Sequence, residues 1–309
     1  MPKFSVKRST TISAPIEDVY SKVVDYSNWS TWSPWLCAEP DTKVTISDSP
    51  NQVGSTYRWN GEITGSGVLE HKSLTPPNRI VDEIQFLSGF KSTSEVVFEF
   101  KEVASGTQVD WYMNGSLPWF MFFMTGMLDT YIGRDYERGL KMLKEWIETG
   151  QILSQTEVKG VQPVSGRRMA GLRQTCSLDE IGPSMQSVYP KVCQAFEKQG
   201  LQPTQGIAVY HRFDMKKKIC DYTAGFVVDE NTPLGSELVT CQIPDCSAIQ
   251  VQHLGSYDHL GNAWSAGMMY QRYAKKKMAK TPPFELYVNS PDQVEAGQLE
   301  TQIFIPVRT

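Results

Sequence analysis

The chain has 309 residues, with 30 Lys and Arg against 34 Asp and Glu and a formal net charge of −4. Apolar residues make up 40% and charged residues 21%, a balance that excludes a disordered chain and lets this length bury two cores of ordinary size. The slight acidity excludes a general attraction to phosphate backbones, and the lysine runs Lys216–Lys218 and Lys275–Lys277 are short enough to be solvated faces, so nucleic acid is not an expected partner.

The opening residues, Phe4 to Ser13, read as a polar strand without the apolar region of a secretory signal. Ile16, Val19, Tyr20, Val23 and Val24 then recur at helical spacing, with Pro15 suited to the first turn. Trp29, Trp32 and Trp35 follow in a short helix or turn. Six strand-like runs come next, at about 42–47, 54–62, 67–73, 80–86, 93–102 and 107–116, broken by turn residues such as Pro76-Pro77-Asn78 and Ser105-Gly106. A long amphipathic helix is predicted from Trp119 to Glu148. Its apolar stripe includes Phe120, Phe123, Met124, Met127, Leu140, Leu143 and Trp146. Gly133 and Gly139 weaken that helix unless they mark a bend or a close approach to another element. The apolar stretch Leu117–Leu128 is interrupted by Pro118, Thr125 and Gly126 and is too short for a membrane span, so a membrane is not an expected partner either.

Strand, helix, six-strand meander and long helix imply a curved antiparallel sheet wrapped on a helix, with a cavity between them. The opening TISAPIEDVYSKVVDYSNWSTWSPW, with this element order, resembles the SRPBCC superfamily of START-like and polyketide-cyclase-like helix-grip proteins. The resemblance implies a hydrophobic ligand cavity under the long helix and no fixed catalytic motif. Trp59, Trp111 and Met113 are the expected cavity residues. Trp111 and Met113 alternate with Asp110 and Tyr112, so one set faces inward, and the sequence alone does not say which. Glu62, Glu70 and Asp110 are candidate polar anchors.

Residues 151–170 read as a linker between a first domain, 1–150, and a second, 171–309, since they lack apolar periodicity and carry Lys159-Gly160, Pro163 and Ser165-Gly166. The second half holds two segments alike in plan, each a strand, a helix and a strand pair. The helices begin after Ile181-Gly182-Pro183 and Leu254-Gly255-Ser256, and the strand pairs are 207–213 with 221–228 and 284–288 with 302–307. The expected fold class is therefore α+β throughout: a helix-grip sheet followed by a duplicated βαββ domain with a pseudo-twofold axis and a cleft between its copies. The segments CDYTAGFVV (220–228), LGSYDHLGNAW (254–264), TPPFELYV (281–288) and LETQIFIPV (299–307) resemble the GyrI-like effector-binding domain, which implies a small-molecule cleft.

Glu285 is the residue on which the chemistry is expected to rest. On a strand over 284–288 it shares a face with Tyr287, and a carboxylate beside an aromatic ring can cradle a cationic or polar aromatic ligand. Buried without a partner, its pKa would rise, which would also suit an acid or base. The resemblance places this Glu in the ligand cleft, and Tyr222, Tyr257, Trp264 and Phe284 are expected to line it. The six cysteines are scattered without a CxxC pair, which predicts reduced thiols, a cytoplasmic location and no metal. His253 and His259 flank the turn at Leu254-Gly255-Ser256 and are expected at the surface. No phosphate loop, dinucleotide motif, zinc motif, nucleophile elbow or helix-turn-helix is present, so no cofactor is expected. The readings that follow are a stand-alone binding protein for a small organic ligand, with one pocket per domain; a metal-independent hydrolase or cyclase using Glu285, with Tyr257 or Tyr287 polarising the substrate; and a regulatory partner protein lacking its own DNA-binding domain. Oligomeric state is not legible.

Overall fold

The computed structural model describes residues 3–89, 91–119 and 125–308. The chain divides into two compact units, Met1–Ile152 and Leu153–Thr309, each with one antiparallel sheet.

The first unit runs β1 (Lys3–Ile12), α1 (Ile16–Val24), a 3₁₀ turn (Tyr26–Asn28), α2 (Trp29–Trp32), β2 (Lys43–Ile46), β3 (Thr56–Asn60), β4 (Ser66–Thr75), β5 (Arg79–Phe86), β6 (Ser92–Val103), β7 (Gly106–Ser116) and α3 (Thr125–Thr149). The sheet order is β1-β7-β6-β5-β4-β3-β2. Successive strands of the meander pair as hairpins, and β1 lies along β7 in the register Lys3↔Ser116 to Ile12↔Thr107. Two-residue periodicity settles the choice in β7: Val109, Trp111 and Met113 point into the core, while Asp110 faces out and pairs with Lys7.

The helix α3, at 25 residues, extends about 37 Å. It packs Tyr136, Leu140 and Leu143 into the core around Trp111, and the Tyr136 and Trp111 rings stack at 3.8 Å. Gly139 is required there, because a Cβ would sit 2.8 Å from the Trp111 ring. Gly133 has the same role under the Arg8 guanidinium, which clamps α3 through Asp129 (3.1 Å) and Glu137. Of the predicted stripe, Phe120, Phe123 and Met124 lie outside the described residues.

Three side chains close the end of α1. The carbonyls of Lys22, Val23 and Val24 have no partner within the helix. Asn28 Nδ2 (3.2 Å), Trp29 Nε1 (2.6 Å) and a ring nitrogen of His71 (2.8 Å) fill those roles.

The second unit runs β8 (Gln155–Val164), β9 (Arg167–Ser177), α4 (Ile181–Lys198), β10 (Gly206–Asp214), β11 (Ile219–Val228), β12 (Val239–Ile243), β13 (Cys246–Leu254), α5 (Leu260–Tyr273), β14 (Phe284–Tyr287) and β15 (Glu300–Val307). Its sheet order is β12-β9-β11-β10-β14-β15-β13-β8. The stretch read as a linker, 151–170, is largely strand. β8 is an edge strand against β13. The pairing jumps from Gly160↔Gln250 to Val158↔Val251, leaving Lys159 bulged and Gly160 at a φ of 75°. The Lys-Gly pair that looked like loop chemistry is this bulge.

One face of the sheet carries the helices. Val188, Val192 and Phe196 of α4 pack on Ala208, Tyr210, Tyr222 and Ala224, and Ala263 of α5 packs on Ile249, Val251, Ile303 and Ile305. The other face buries Ile207, Val209, Phe284, Leu286 and Phe304 together.

Candidate functional site

β14 is four residues long, and its alternation puts Glu285 and Tyr287 on the helix face and Phe284 and Leu286 on the other. Glu285 is 1% exposed. Its Oε1 accepts from the indole Nε1 of Trp264 on α5, and its Oε2 accepts from the Tyr287 hydroxyl at 2.6 Å. The Tyr210 hydroxyl faces the same carboxylate and favours its ionised form. Burial pushes the Glu285 carboxyl above its ordinary range, and the three donors, Tyr287, Trp264 and Tyr210, pull it back. All three are neutral.

The carboxylate sits among rings. Trp264 meets Tyr210 edge-on at 5.1 Å, and Tyr287 is met edge-on by Tyr189 at 5.8 Å and by Tyr257 at 5.6 Å. Tyr257 is 37% exposed and marks the outer side of the group; burial, then the Glu285 charge, pushes its hydroxyl up to about 12. Opposite β14 in the register, Ala208 faces Glu285 and Gly206 faces Tyr287. A Cβ at Gly206 would come within 3.1 Å of the Tyr287 ring, so small residues on β10 give the large side chains of β14 their room.

Of the predicted cleft residues, Glu285, Tyr287, Trp264 and Tyr257 come together. Tyr222 lies on the same face, in ring contact with Tyr210 at 6.2 Å, with its hydroxyl 2.6 Å from Ser184 Oγ. Phe284 does not join them: strand alternation turns it to the opposite face, stacked on Phe304 at 4.9 Å with the Arg167 guanidinium 5.8 Å from its ring. Tyr189 and Tyr210 were not singled out in the sequence. Tyr210 lies two residues from Ala208 and so on the Glu285 face, a signal available once β10 and β14 are paired.

The histidines expected at the surface are buried. His253 is enclosed on β13, where Nε2 donates to the Ser256 carbonyl at 3.0 Å, and His259 turns inward from a 3₁₀ turn over Tyr257–His259.

In the first unit, Trp111 and Met113 are core residues. Trp59 is half-buried beside Phe86 at 6.1 Å, in the space left by Gly67, where a Cβ would strike the indole. The proposed anchors face away from the interior. Asp110 bonds Lys7 and Ser9, Glu70 pairs with Lys72 at 3.0 Å, and Glu62 is exposed. A buried ionisable pair was missed in the sequence: His71 on β4 and Asp82 on β5, 2.5 Å apart and fully enclosed. Among the described residues no three His, Cys, Asp or Glu side chains gather as a metal site, and no helix is long and apolar enough to cross a membrane.

The family of polyketide cyclases / dehydrases and lipid transport proteins matches residues 3–148, and the GyrI-like small molecule binding domain matches residues 161–308. No curated protein matches the chain. Among solved structures, a protein from Chromobacterium violaceum is 16% identical over 47% of this chain and 98% of its own, with a TM-score of 0.37. The C-terminal domain of EcmrR is 20% identical over 51% of this chain and 99% of its own, with a TM-score of 0.42. EcmrR in a DNA complex is 20% identical over 58% and 66%, with a TM-score of 0.42. The chain therefore joins a domain of the polyketide cyclase / dehydrase and lipid transport family to a GyrI-like small molecule binding domain.

Proposed function

We propose that the second unit binds a small organic cation, preferably aromatic, against Glu285. One observation carries this reading: a fully buried carboxylate is met only by neutral donors and ringed by Tyr210, Tyr257, Trp264 and Tyr287. An enclosed carboxylate without a counter-charge is costly, and a delocalised cation stacked among aromatic faces relieves that cost. The family description of the matched domain supports a small-molecule ligand in general. Tyr257, at the exposed margin, would meet the ligand first.

The sheet order supports a duplicated βαββ origin for this unit: β9-β11-β10 and β13-β15-β14 occupy mirrored places about the β10–β14 pair. The first unit, read as a helix-grip fold, would hold an apolar ligand between its sheet and α3, near Trp59. Trp111 and Met113 act there as packing beneath the site.

The reading is tested by thermal-shift screening of the wild type and Glu285→Gln against hydrophobic cations and neutral molecules of the same shape. Stabilisation by the cations alone, lost in the variant, supports it. Equal stabilisation by charged and neutral members sinks it. A second reading, acid–base chemistry at Glu285, is favoured by the raised pKa of its carboxyl. Turnover of a stabilising compound, abolished in Glu285→Gln, would establish it.

A further inference from the structure

We infer that the buried His71–Asp82 pair keeps two protons at neutral pH, one more than the same side chains hold in the unfolded chain, so that the first unit takes up a proton as it folds. The count comes from hydrogen-bond geometry. His71 Nε2 lies 2.8 Å from the Val24 carbonyl oxygen, which only accepts, so Nε2 carries a proton. His71 Nδ1 lies 2.5 Å from Asp82 Oδ1. Two lone pairs at that distance repel, so a second proton lies between them. Imidazolium with carboxylate, or imidazole with carboxylic acid, gives the same total. An unfolded chain above about pH 6.5 holds one proton on the imidazole and none on the carboxylate.

The surroundings favour the neutral, two-proton pair. Both side chains are fully enclosed, and the Tyr26 ring stacks on His71 at 4.0 Å. Burial pushes the Asp82 carboxyl up, and hydrogen bonding and charge from His71, then Tyr26, pull it back. The other titratable groups facing the pair are Tyr20 on α1, Tyr26 on the 3₁₀ turn and Tyr136 on α3. Burial and the Asp82 charge raise all three, which therefore stay neutral. Tyr57 on β3, in ring contact with Tyr26, is raised by its own burial. Glu70, whose charge reaches Tyr26, is ion-paired to Lys72.

The sign follows from proton linkage. Between about pH 4 and 6.5 folded and unfolded chains hold equal protons on these groups, and the stabilisation is complete. Above about 6.5 the folded chain holds one more, so each further pH unit lowers the folding equilibrium constant up to tenfold until the pair itself loses its proton. The loss falls on the stability of the first unit, because the folded pair keeps both protons while the unfolded chain gives one up.

Two measurements on the full chain test this. Of its eight tryptophans all but Trp264 precede residue 150, so tryptophan fluorescence follows the first unit during urea unfolding. Asp82→Asn keeps both hydrogen bonds, because its amide donates to a neutral imidazole, but it needs no second proton. Between pH 7 and 8.5 the wild type should lose stability more steeply than Asp82→Asn, by up to tenfold in the equilibrium constant per pH unit. Equal slopes overturn the inference. Should the variant fail to fold, ring-nitrogen NMR of the wild type decides alone: two protons on the pair at pH 7.5 support the inference, and a singly protonated His71 beside an ionised Asp82 overturns it.

Discussion

Among the described residues each unit buries one carboxylate side chain, Asp82 or Glu285, and the two are housed in opposite ways. Asp82 has its counter-charge built in: His71 stands opposite it in the β4–β5 register and passes the contact on to the end of α1. Glu285 has Trp264, Tyr287 and Tyr210 as donors and no cation among them. Hydrogen bonds satisfy lone pairs, but they do not neutralise a charge taken out of water. The Asp82 arrangement is complete and reads as structure. Among the described residues no positive charge contacts Glu285, and a bound cation, as proposed above, would supply one.

This contrast predicts opposite responses to mutation. The largest effect belongs to Asp82→Ala, which strands His71 in the core and should cost about 3–5 kcal/mol of stability in urea unfolding followed by tryptophan fluorescence. A loss below about 1 kcal/mol would show that the pair is not integral to the fold. Glu285→Gln should leave the unliganded protein as stable or more stable, because the ionisation of a carboxyl with a raised pKa opposes folding as pH rises. Its affinity for an organic cation should fall by roughly 2–5 kcal/mol in calorimetry, the penalty for breaking a buried charge pair.

A smaller effect concerns pH. Cation binding needs the ionised carboxylate, so affinity should fall on acidification from a point above the ordinary carboxylate range, up to tenfold per pH unit. Tyr287→Phe removes a donor worth about 1.5–3 kcal/mol to a charged acceptor, which should move that fall to higher pH. An unchanged profile would show that Tyr287 does not tune the carboxylate. The smallest effect is expected for Tyr257→Ala at the exposed margin: a few-fold loss of affinity, about 0.5–1.5 kcal/mol for one ring contact, with little change in stability.

What was legible in the sequence follows the regularity of the strands. The strand β7 of the first unit and the face shared by Glu285 and Tyr287 were readable because alternation there is unbroken. Bulges hid part of the rest. Counting outward from the turn at Pro76–Asn78, the pairs Thr75↔Arg79 and Ser73↔Val81 lead to Lys72 opposite Asp82, yet a register shift puts His71 there instead. Tyr210 went unnoticed because its place beside Glu285 shows only once β10 is paired with β14, and the bulge at Lys159 made β8 look like a linker. β12 is five residues long and mostly exposed, which leaves no apolar alternation to find. Phe284 was wrongly grouped with Glu285, although the same alternation separates them.

The central claim is that Glu285 awaits a positive charge. Its most direct test is calorimetry of the wild-type chain with an aromatic quaternary ammonium compound and its uncharged carbon isostere, repeated with Glu285→Gln. Tight binding of the cation alone, reduced in the variant to the level of the isostere, is the predicted result. Cation and isostere binding equally, with Glu285→Gln indistinguishable from wild type, would contradict it.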